Sequence, residues 1–452
     1  MIRTLAAFAA VCGGQLIGAD RSFDEVAIDT RRLAPGNLFV ALQGEQVDGH
    51  SFLPQALSAG AAGALVSRRA ELPLAQILVS SVELALTDAA RAARAQFKGV
   101  VIGVAGSNGK TTVKEMLSAI LGRGGRCLAT RGNLNNHLGV PMTLLRLEDS
   151  HHSAVIEMGA NRRGDVEALV QIAQPSIGLI TNAGAEHLGG FGSLEGAARA
   201  EGEMVAGLPA RGTAIINADD SFASLWQAMS AAPAVTFGLR HEADFRAEDL
   251  HWEAHAEGFR AGFRLVCPQG TTPVALELAG RHNVQNALAA AAAAVSAGAT
   301  LVEVAGGLAA MRAVKGRLQL RRTRQGAWLI DDSYNANPSS VRAGLLVLGD
   351  LPGRRWFVLG DMAELGSFAE PSHREIGELA RSLGVERLYA FGPLAALAAD
   401  AFGAGAQRFH SAAELARALD AELAADVRVL VKGSRSNRLE RVVDALVTPA
   451  HA

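Results

Sequence analysis

Cysteine is scarce in this chain: three residues in 452, at Cys12, Cys127 and Cys267, far apart and with no Cys-x-x-Cys pair. That set excludes a disulfide framework and a zinc-ribbon spacing, and points to reduced thiols in a cytosolic protein. Aromatic residues are only 5% of the chain, too few for a base-stacking surface. Neither sign of charge dominates: the formal net charge is −2, which gives no reason to expect a nucleic acid or an anionic membrane as partner. No run of about 20 apolar residues is present to span a bilayer. The alanine tract at 287–297 is shorter than that and follows Asn283, Gln285 and Asn286. The first residues carry one arginine and an apolar patch, and they read as a helix over 4–12 rather than as a leader.

What is present is apolar patterning. At 49% hydrophobic and 19% charged, the chain can bury large cores, and 452 residues suggest about three domains. Residues 1–80 hold short strands at 26–29 and 38–42 and small helices, one near 52–59. An amphipathic helix over 81–97, with Leu84, Leu86, Ala90 and Ala93 on its apolar face, leads into the second unit. There, continuous apolar strands at 100–105, 154–158 and 177–181 alternate with helices, the pattern of a parallel sheet covered on both faces. Shorter, more polar strands over 236–280 read as an antiparallel appendage, followed by a helix from Asn283 to about Ala297. Beyond Lys315, strands at 328–331, 356–359, 387–391 and 427–431 alternate with helices near 338–350, 372–383, 393–402 and 411–424. The expected fold class is therefore α/β in three domains: a small mixed α/β unit (1–80), a central parallel-sheet P-loop unit (81–312) and a Rossmann-like α/β unit (313–452).

The most informative segment is Gly106-Ser107-Asn108-Gly109-Lys110-Thr111-Thr112. It follows a buried strand and opens a helix whose apolar residues Val113, Met116, Leu117, Ile120 and Leu121 share a face. Glycines let backbone N–H groups wrap a phosphate, and a helix N-terminus favours the anion. Lys110 supplies a charge for the β/γ-phosphates and Thr111 a hydroxyl for Mg²⁺. The general G-x-x-x-x-G-K-[ST] pattern is not fully met, because Val104 stands five places before Gly109. The segment points to ATP without saying what ATP is for. Glu157 closes the second central strand and His187 follows the third. Strand carboxyl ends line the ligand crevice of an open parallel sheet, so both can face the loop. Glu157 suits Mg²⁺, which prefers oxygen; a neutral His187 fits a second metal with mixed ligands.

The loop, the glutamate and the histidine together resemble the Mur ligases in order and spacing. Further segments extend the resemblance over nearly the whole chain: Thr130-Arg131-Gly132-Asn133-Leu134-Asn135-Asn136-His137-Leu138-Gly139-Val140-Pro141, His282-Asn283-Val284-Gln285-Asn286, Gly360-Asp361-Met362-Ala363-Glu364-Leu365-Gly366 and Lys432-Gly433-Ser434-Arg435. The most specific piece is Asp331-Asp332-Ser333-Tyr334-Asn335-Ala336-Asn337-Pro338, which looks like the segment of members that add D-alanyl-D-alanine. The resemblance implies an N-terminal domain that binds a UDP-substrate, a central ATPase and a C-terminal dinucleotide-fold-like domain. It implies ATP-dependent amide-bond formation between UDP-N-acetylmuramoyl-tripeptide and D-alanyl-D-alanine through an acyl phosphate, giving a peptidoglycan precursor. Lys110, Glu157, His187 and Glu201 would be catalytic, with Thr111, Glu157 and His187 on metal. Residues 106–112, Asn283, Asn286, Arg317, Asp332 and Asn335 would hold ATP. Thr30, Arg31, Asn135 and Asn136 would face the UDP-substrate, and Lys432 and Arg435 would orient the dipeptide carboxylate or the acidic end of the tripeptide.

One departure stands out. Family members usually carry a lysine, carbamylated in several, where this chain has Glu201 in Ala198-Arg199-Ala200-Glu201-Gly202-Glu203. A glutamate is already anionic and needs no carbon dioxide, so it is expected to reach the metal directly or through water. Ligands on two units imply that they close around the nucleotide. Nothing requires a second subunit, so a monomer is expected. Two other readings stay open: a related ligase that adds a diamino acid, or glutamates to folate, and a nucleotide switch with no amide product.

Overall fold

The computed structural model describes residues 2–44, 47–184, 188–255 and 258–447. They form four sheets. The N-terminal sheet runs in the order Gln15–Ile17, Gln76–Leu78, Gly63–Val66, Leu38–Val40, Val26–Ala27, with only the first pair antiparallel. The helix Leu5–Val11 packs beside it and is capped by Thr4, whose hydroxyl accepts the Ala7 N–H.

The helix Val82–Gln96 starts at Ser81, which caps it. It lies against the helices Gly139–Leu144 and Asp165–Ala173. Its buried stripe is Val82, Ala85, Leu86, Ala89, Ala90 and Ala93, and Leu84, expected on that stripe, is 65% exposed. Small alanines let this helix sit close, and with Val82 and Leu86 they set the buried face, which leaves Leu84 outside it.

The central sheet is fully parallel, in the order Ala234–Phe237, Thr213–Asn217, Ile177–Ile180, Val100–Ala105, His151–Glu157, Arg126–Ala129. Val100–Ala105 thus lies between the strands that end at Ile180 and Glu157. Loops leaving these three carboxyl ends face one crevice, the place where such sheets bind ligands. The appendage begins later than its composition suggests, since Ala234–Phe237 belongs to the parallel sheet. Its strands are also longer than expected: Arg246–His255 and Gly258–Cys267 have 10 residues each, joined antiparallel to Gly270–Leu276. Phe263, Leu265 and Leu276 of this sheet share a core with the alanine-rich helix Arg281–Ser296.

The C-terminal sheet runs Gln319–Arg322, Trp328–Asp332, Val427–Lys432, Arg354–Gly360, Arg387–Phe391, Ala406–Phe409, parallel except for its first edge strand. Separate cores cover its two faces, one around Ile330, Phe357 and Leu388, the other around Leu329, Trp356 and Val429. Alternate residues of each strand feed opposite cores, as the period of two requires. Among the described residues, no helix is long and apolar enough to cross a membrane.

Candidate active site

The loop after Val100–Ala105 owes its shape to close approach. Gly106 has φ +122, and a Cβ there would lie 2.1 Å from the Thr181 hydroxyl oxygen. Gly109 has φ +88, and a Cβ there would lie 2.4 Å from Asn286 Oδ1. No other residue fits either place without displacing a neighbour. Val104 is a strand residue with no exposed surface, so the phosphate turn begins at Gly106 rather than one turn earlier. The helix Lys110–Gly124 starts at Gly109 with no side-chain cap, leaving its first N–H groups directed at the crevice. Asn182, at the end of the neighbouring strand, brackets the Asn108 main chain: its Oδ1 accepts the Asn108 N–H at 3.0 Å, and its Nδ2 donates to the Asn108 carbonyl at 2.9 Å. Lys110 folds its ammonium onto the carbonyls of Gly106 and Ser107.

The loop opens into a cavity of about 520 Å³ lined by residues of the central and C-terminal units, including Lys110, Thr111, Glu157, Asn286, Arg317 and Asp332. Glu157 is 2% exposed. Its Oε1 accepts from Asn135 Nδ2 at 2.8 Å and from the Thr111 hydroxyl at 3.3 Å. Its Oε2 is buried with no hydrogen-bond partner among the described residues. A buried carboxylate oxygen without a donor is costly unless a cation reaches it. Next to a threonine hydroxyl, at the edge of a phosphate loop, that oxygen fits a hard divalent ion.

Other expected site residues fall into two groups. Asn283 and Asn286 are buried at the start of the alanine-rich helix; Asn286 donates to Asn283 Oδ1 at 3.1 Å, and Asn283 donates to the Ala279 carbonyl at 2.7 Å. Asn135, Asn136, Asn335 and Lys432 also line the cavity. Asn136 spends its Oδ1 on the N–H groups of Leu138 and Gly139. Arg317 stacks its guanidinium 4.4 Å from the centre of the Tyr334 ring. Asp332 and Lys432 form an ion pair at 2.6 Å, and Lys432 also donates to the Asn335 carbonyl at 2.9 Å. Burial pushes the Lys432 ammonium below its usual range, Asp332 opposes that, and nearby Arg317 adds to it.

The remaining described residues lie outside this cavity. Arg435 pairs with Glu440 at 3.0 Å and stands 5.8 Å from the Tyr334 ring. Arg31 is held by Asp29, beside Thr30, in the N-terminal unit. Glu201 is 1% exposed and accepts the Gly106 N–H at 2.7 Å, so it touches the phosphate loop from the protein side. His187 lies outside the described residues.

Sequence reasoning passed over several groups at the crevice. Asn217 ends the strand Thr213–Asn217, Asp219 and Asp220 stand just past it, and Gln285 donates to both Asn217 and Asp219. The carboxyl end of that strand was the available signal. Asn337 and Ser339 also line the cavity; Asn337, directly before Pro338, carries an N-cap signal, whereas no local pattern announces Ser339.

Three family descriptions match the chain in succession: Mur ligase family, catalytic domain, over residues 22–104; Mur ligase middle domain over 104–294; and Mur ligase, glutamate ligase domain, over 316–435. The UDP-N-acetylmuramoyl-tripeptide–D-alanyl-D-alanine ligase of Escherichia coli K12 is 44% identical over 447 residues, covering 98% of each chain. The chain belongs to the Mur ligase family. Members of this family are ATP-dependent amide-bond ligases. The ligase of the same name from Bacillus subtilis is 35% identical over 434 residues, 93% of each chain. Among solved structures, a MurF crystal structure from Acinetobacter baumannii superposes with a TM-score of 0.88 at 34% identity, covering 97% of each chain. A MurF ligase from Thermotoga maritima in complex with ADP gives 0.79 at 26% identity, covering 93% of this chain and 96% of that one.

Proposed function

We propose that this chain joins D-alanyl-D-alanine to UDP-N-acetylmuramoyl-tripeptide with consumption of ATP. The observation that carries the reading is the end-to-end match at 44% identity to the E. coli ligase of that name. The phosphate loop facing an unpartnered carboxylate oxygen supports it. In this reading residues 1–80 hold the UDP-substrate, 81–312 hold ATP, and 313–452 close over both in a monomeric, cytosolic enzyme.

The loop N–H groups and the start of the helix Lys110–Gly124 bind the triphosphate. Lys110 leaves the carbonyls of Gly106 and Ser107 and neutralises charge on the transferring phosphoryl group. Glu157 and Thr111 would hold Mg²⁺, which supplies charge neutralisation at the phosphates when bound. The substrate carboxylate takes the terminal phosphoryl group of ATP, releasing ADP. The amine of D-alanyl-D-alanine then attacks the acyl carbon, the carbon–nitrogen bond forms, the acyl C–O bond breaks with its electron pair going to the departing phosphate, and the proton lost from the nitrogen goes to that phosphate. No side chain needs to become covalently modified; the protein positions and neutralises. Asn135, bonded to Glu157, ties the metal-side carboxylate to the segment expected to face the muramoyl peptide.

Steady-state assays with purified protein, ATP, Mg²⁺ and the UDP-tripeptide test this. ADP and phosphate release must depend on D-alanyl-D-alanine. Dependence on a diamino acid or on glutamate instead would replace the reading by another ligase, and nucleotide binding without amide product would replace it by a switch.

A further inference from the structure

The phosphate loop reaches the C-terminal unit through a closed ring of hydrogen bonds. Asn337 Nδ2 donates to Asn108 Oδ1 at 2.8 Å. Asn108 Nδ2 donates to Ser339 Oγ at 2.9 Å. Ser339 Oγ donates to Asn337 Oδ1 at 3.0 Å, which completes the circuit. Turning the Asn108 amide over would set an NH₂ group against an NH₂ group, so the ring fixes its orientation.

Both ends of the ring are anchored. Asn182 clamps the Asn108 main chain to the central sheet. Asn337 is the N-cap of the helix Pro338–Gly349, with its Oδ1 also accepting the Ser340 N–H at 2.8 Å. Gly184 packs against the ring from the central unit, where a Cβ would stand 2.9 Å from Asn108 Nδ2 and 3.1 Å from Ser339 Oγ. Side-chain amides that bridge two rigid elements through paired bonds resist shear in a way that one bond does not. Separation of the two units breaks both cross-unit bonds at once.

We propose that Asn108 is a positioning residue: its side chain latches the phosphate loop to the first turn of the helix Pro338–Gly349, so that a nucleotide gripped by the loop is presented to Arg317 and Asp332 in one fixed geometry. The latch rests on the ligase reading above and names a device within it. The loop grips the triphosphate whether or not the ring is closed. Loss of the ring therefore lowers turnover and leaves the KM for ATP nearly unchanged.

The test uses the full chain with Asn108→Ala, Ser339→Ala, Ser339→Thr and the double alanine variant. Two lost cross-unit bonds correspond to roughly a tenfold fall in kcat for Asn108→Ala, with a smaller fall for Ser339→Ala. The KM for ATP is expected to move less than about twofold, and Ser339→Thr, which keeps the hydroxyl, to stay within about twofold of the parent rate. The double variant is expected to be no slower than Asn108→Ala, because the two residues share one interaction. Small-angle scattering with ADP is expected to show less compaction for Asn108→Ala than for the parent chain. Additive losses in the double variant, a KM rise as large as the kcat fall, or unchanged compaction would overturn the latch. If Asn108→Ala fails to fold, the Ser339 pair carries the same comparison. Compaction with ADP is read without amide product, so failure of the latch and failure of the ligase reading are separate outcomes.

Discussion

Replacing Lys432 by methionine removes a charge from a side chain that is 3% exposed and leaves the Asp332 carboxylate behind, itself 9% exposed. The two charges lie 2.6 Å apart. At an effective dielectric constant of ~20 their attraction is about 6 kcal/mol. Taking each ion out of water costs several kcal/mol, so the intact pair sits near balance with an apolar pair of the same volume. Breaking it from one side is not balanced: an uncompensated buried charge typically costs ~3–5 kcal/mol. Asp332 keeps one donor, the Leu318 N–H at 3.3 Å, which places Lys432→Met at the lower end, about 3 kcal/mol. The double variant Lys432→Met/Asp332→Leu removes both charges and is expected to return to within about 1 kcal/mol of the parent. It should nevertheless be inactive, because Asp332 and Lys432 both line the cavity beside the phosphate loop, where the proposed function seats the nucleotide. Urea unfolding followed by tryptophan fluorescence reads the effect, since Trp328 and Trp356 lie on strands of the same sheet. A single variant as stable as the parent, or a double variant as unstable as the single, would refute the reasoning.

Glu157→Gln keeps the shape that meets Asn135 and Thr111 but loses the anion at Oε2; turnover should fall ~10²–10³-fold with no loss of melting temperature, and excess Mg²⁺ should not restore it. Glu201→Ala deletes the acceptor of the buried Gly106 N–H, which should cost ~1–3 kcal/mol and lower both melting temperature and ATP affinity. The parent chain should be indifferent to added bicarbonate, which a rate assay in degassed buffer checks directly. Burial, helped by the Lys432 charge, pushes the His282 imidazole down to about 4. A base whose folded value lies below its unfolded value of ~6.5 binds its proton first in the unfolded chain, so stability rises with pH between those values and is lost as pH falls from ~6.5 towards 4. The group accounts for up to about 3 kcal/mol of that slope, and His282→Gln should flatten it in urea titrations at successive pH values.

Much of this architecture can be read from the chain because its signals are local. Seven consecutive residues carry the phosphate turn, and the flanking strand and helix confirm their own periods. Glu157 was reachable because a strand's carboxyl end in a parallel sheet points at the crevice. Edge strands were not reachable. Gln319–Arg322 and Ala406–Phe409 are partly exposed and polar, so their sequences show neither an apolar run nor clean alternation. The start of the appendage was misplaced for a related reason: Ala234–Phe237 is also an edge strand, and its exposure mimics that of the antiparallel strands beyond it. Leu84 failed as a guide because burial on its helix follows alanine contacts with two neighbouring helices, which periodicity alone does not weigh.

Side-chain partners distant in sequence were the least legible. The resemblance gives Asp332 to the nucleotide and Lys432 to the peptide, two separate tasks. The parallel register sets Asp332 directly opposite Lys432 on adjacent strands, and with the two 100 positions apart in the chain no spacing rule could reveal it. The two strands end together at the cavity, so their last side chains must either repel, stay hydrated or neutralise one another. Neutralising them fixes both carboxyl ends against the Asn335 carbonyl and holds the segment that leads to Asn337. The helix capped by Asn337 then meets Asn108 on the phosphate loop. A chain of polar contacts therefore runs from the centre of the C-terminal sheet to the loop proposed to grip ATP. Because most of its links are satisfied within the protein, this chain of contacts holds the two halves of the site in one geometry. An enzyme that works by positioning two substrates and neutralising charge gains most from that kind of rigidity.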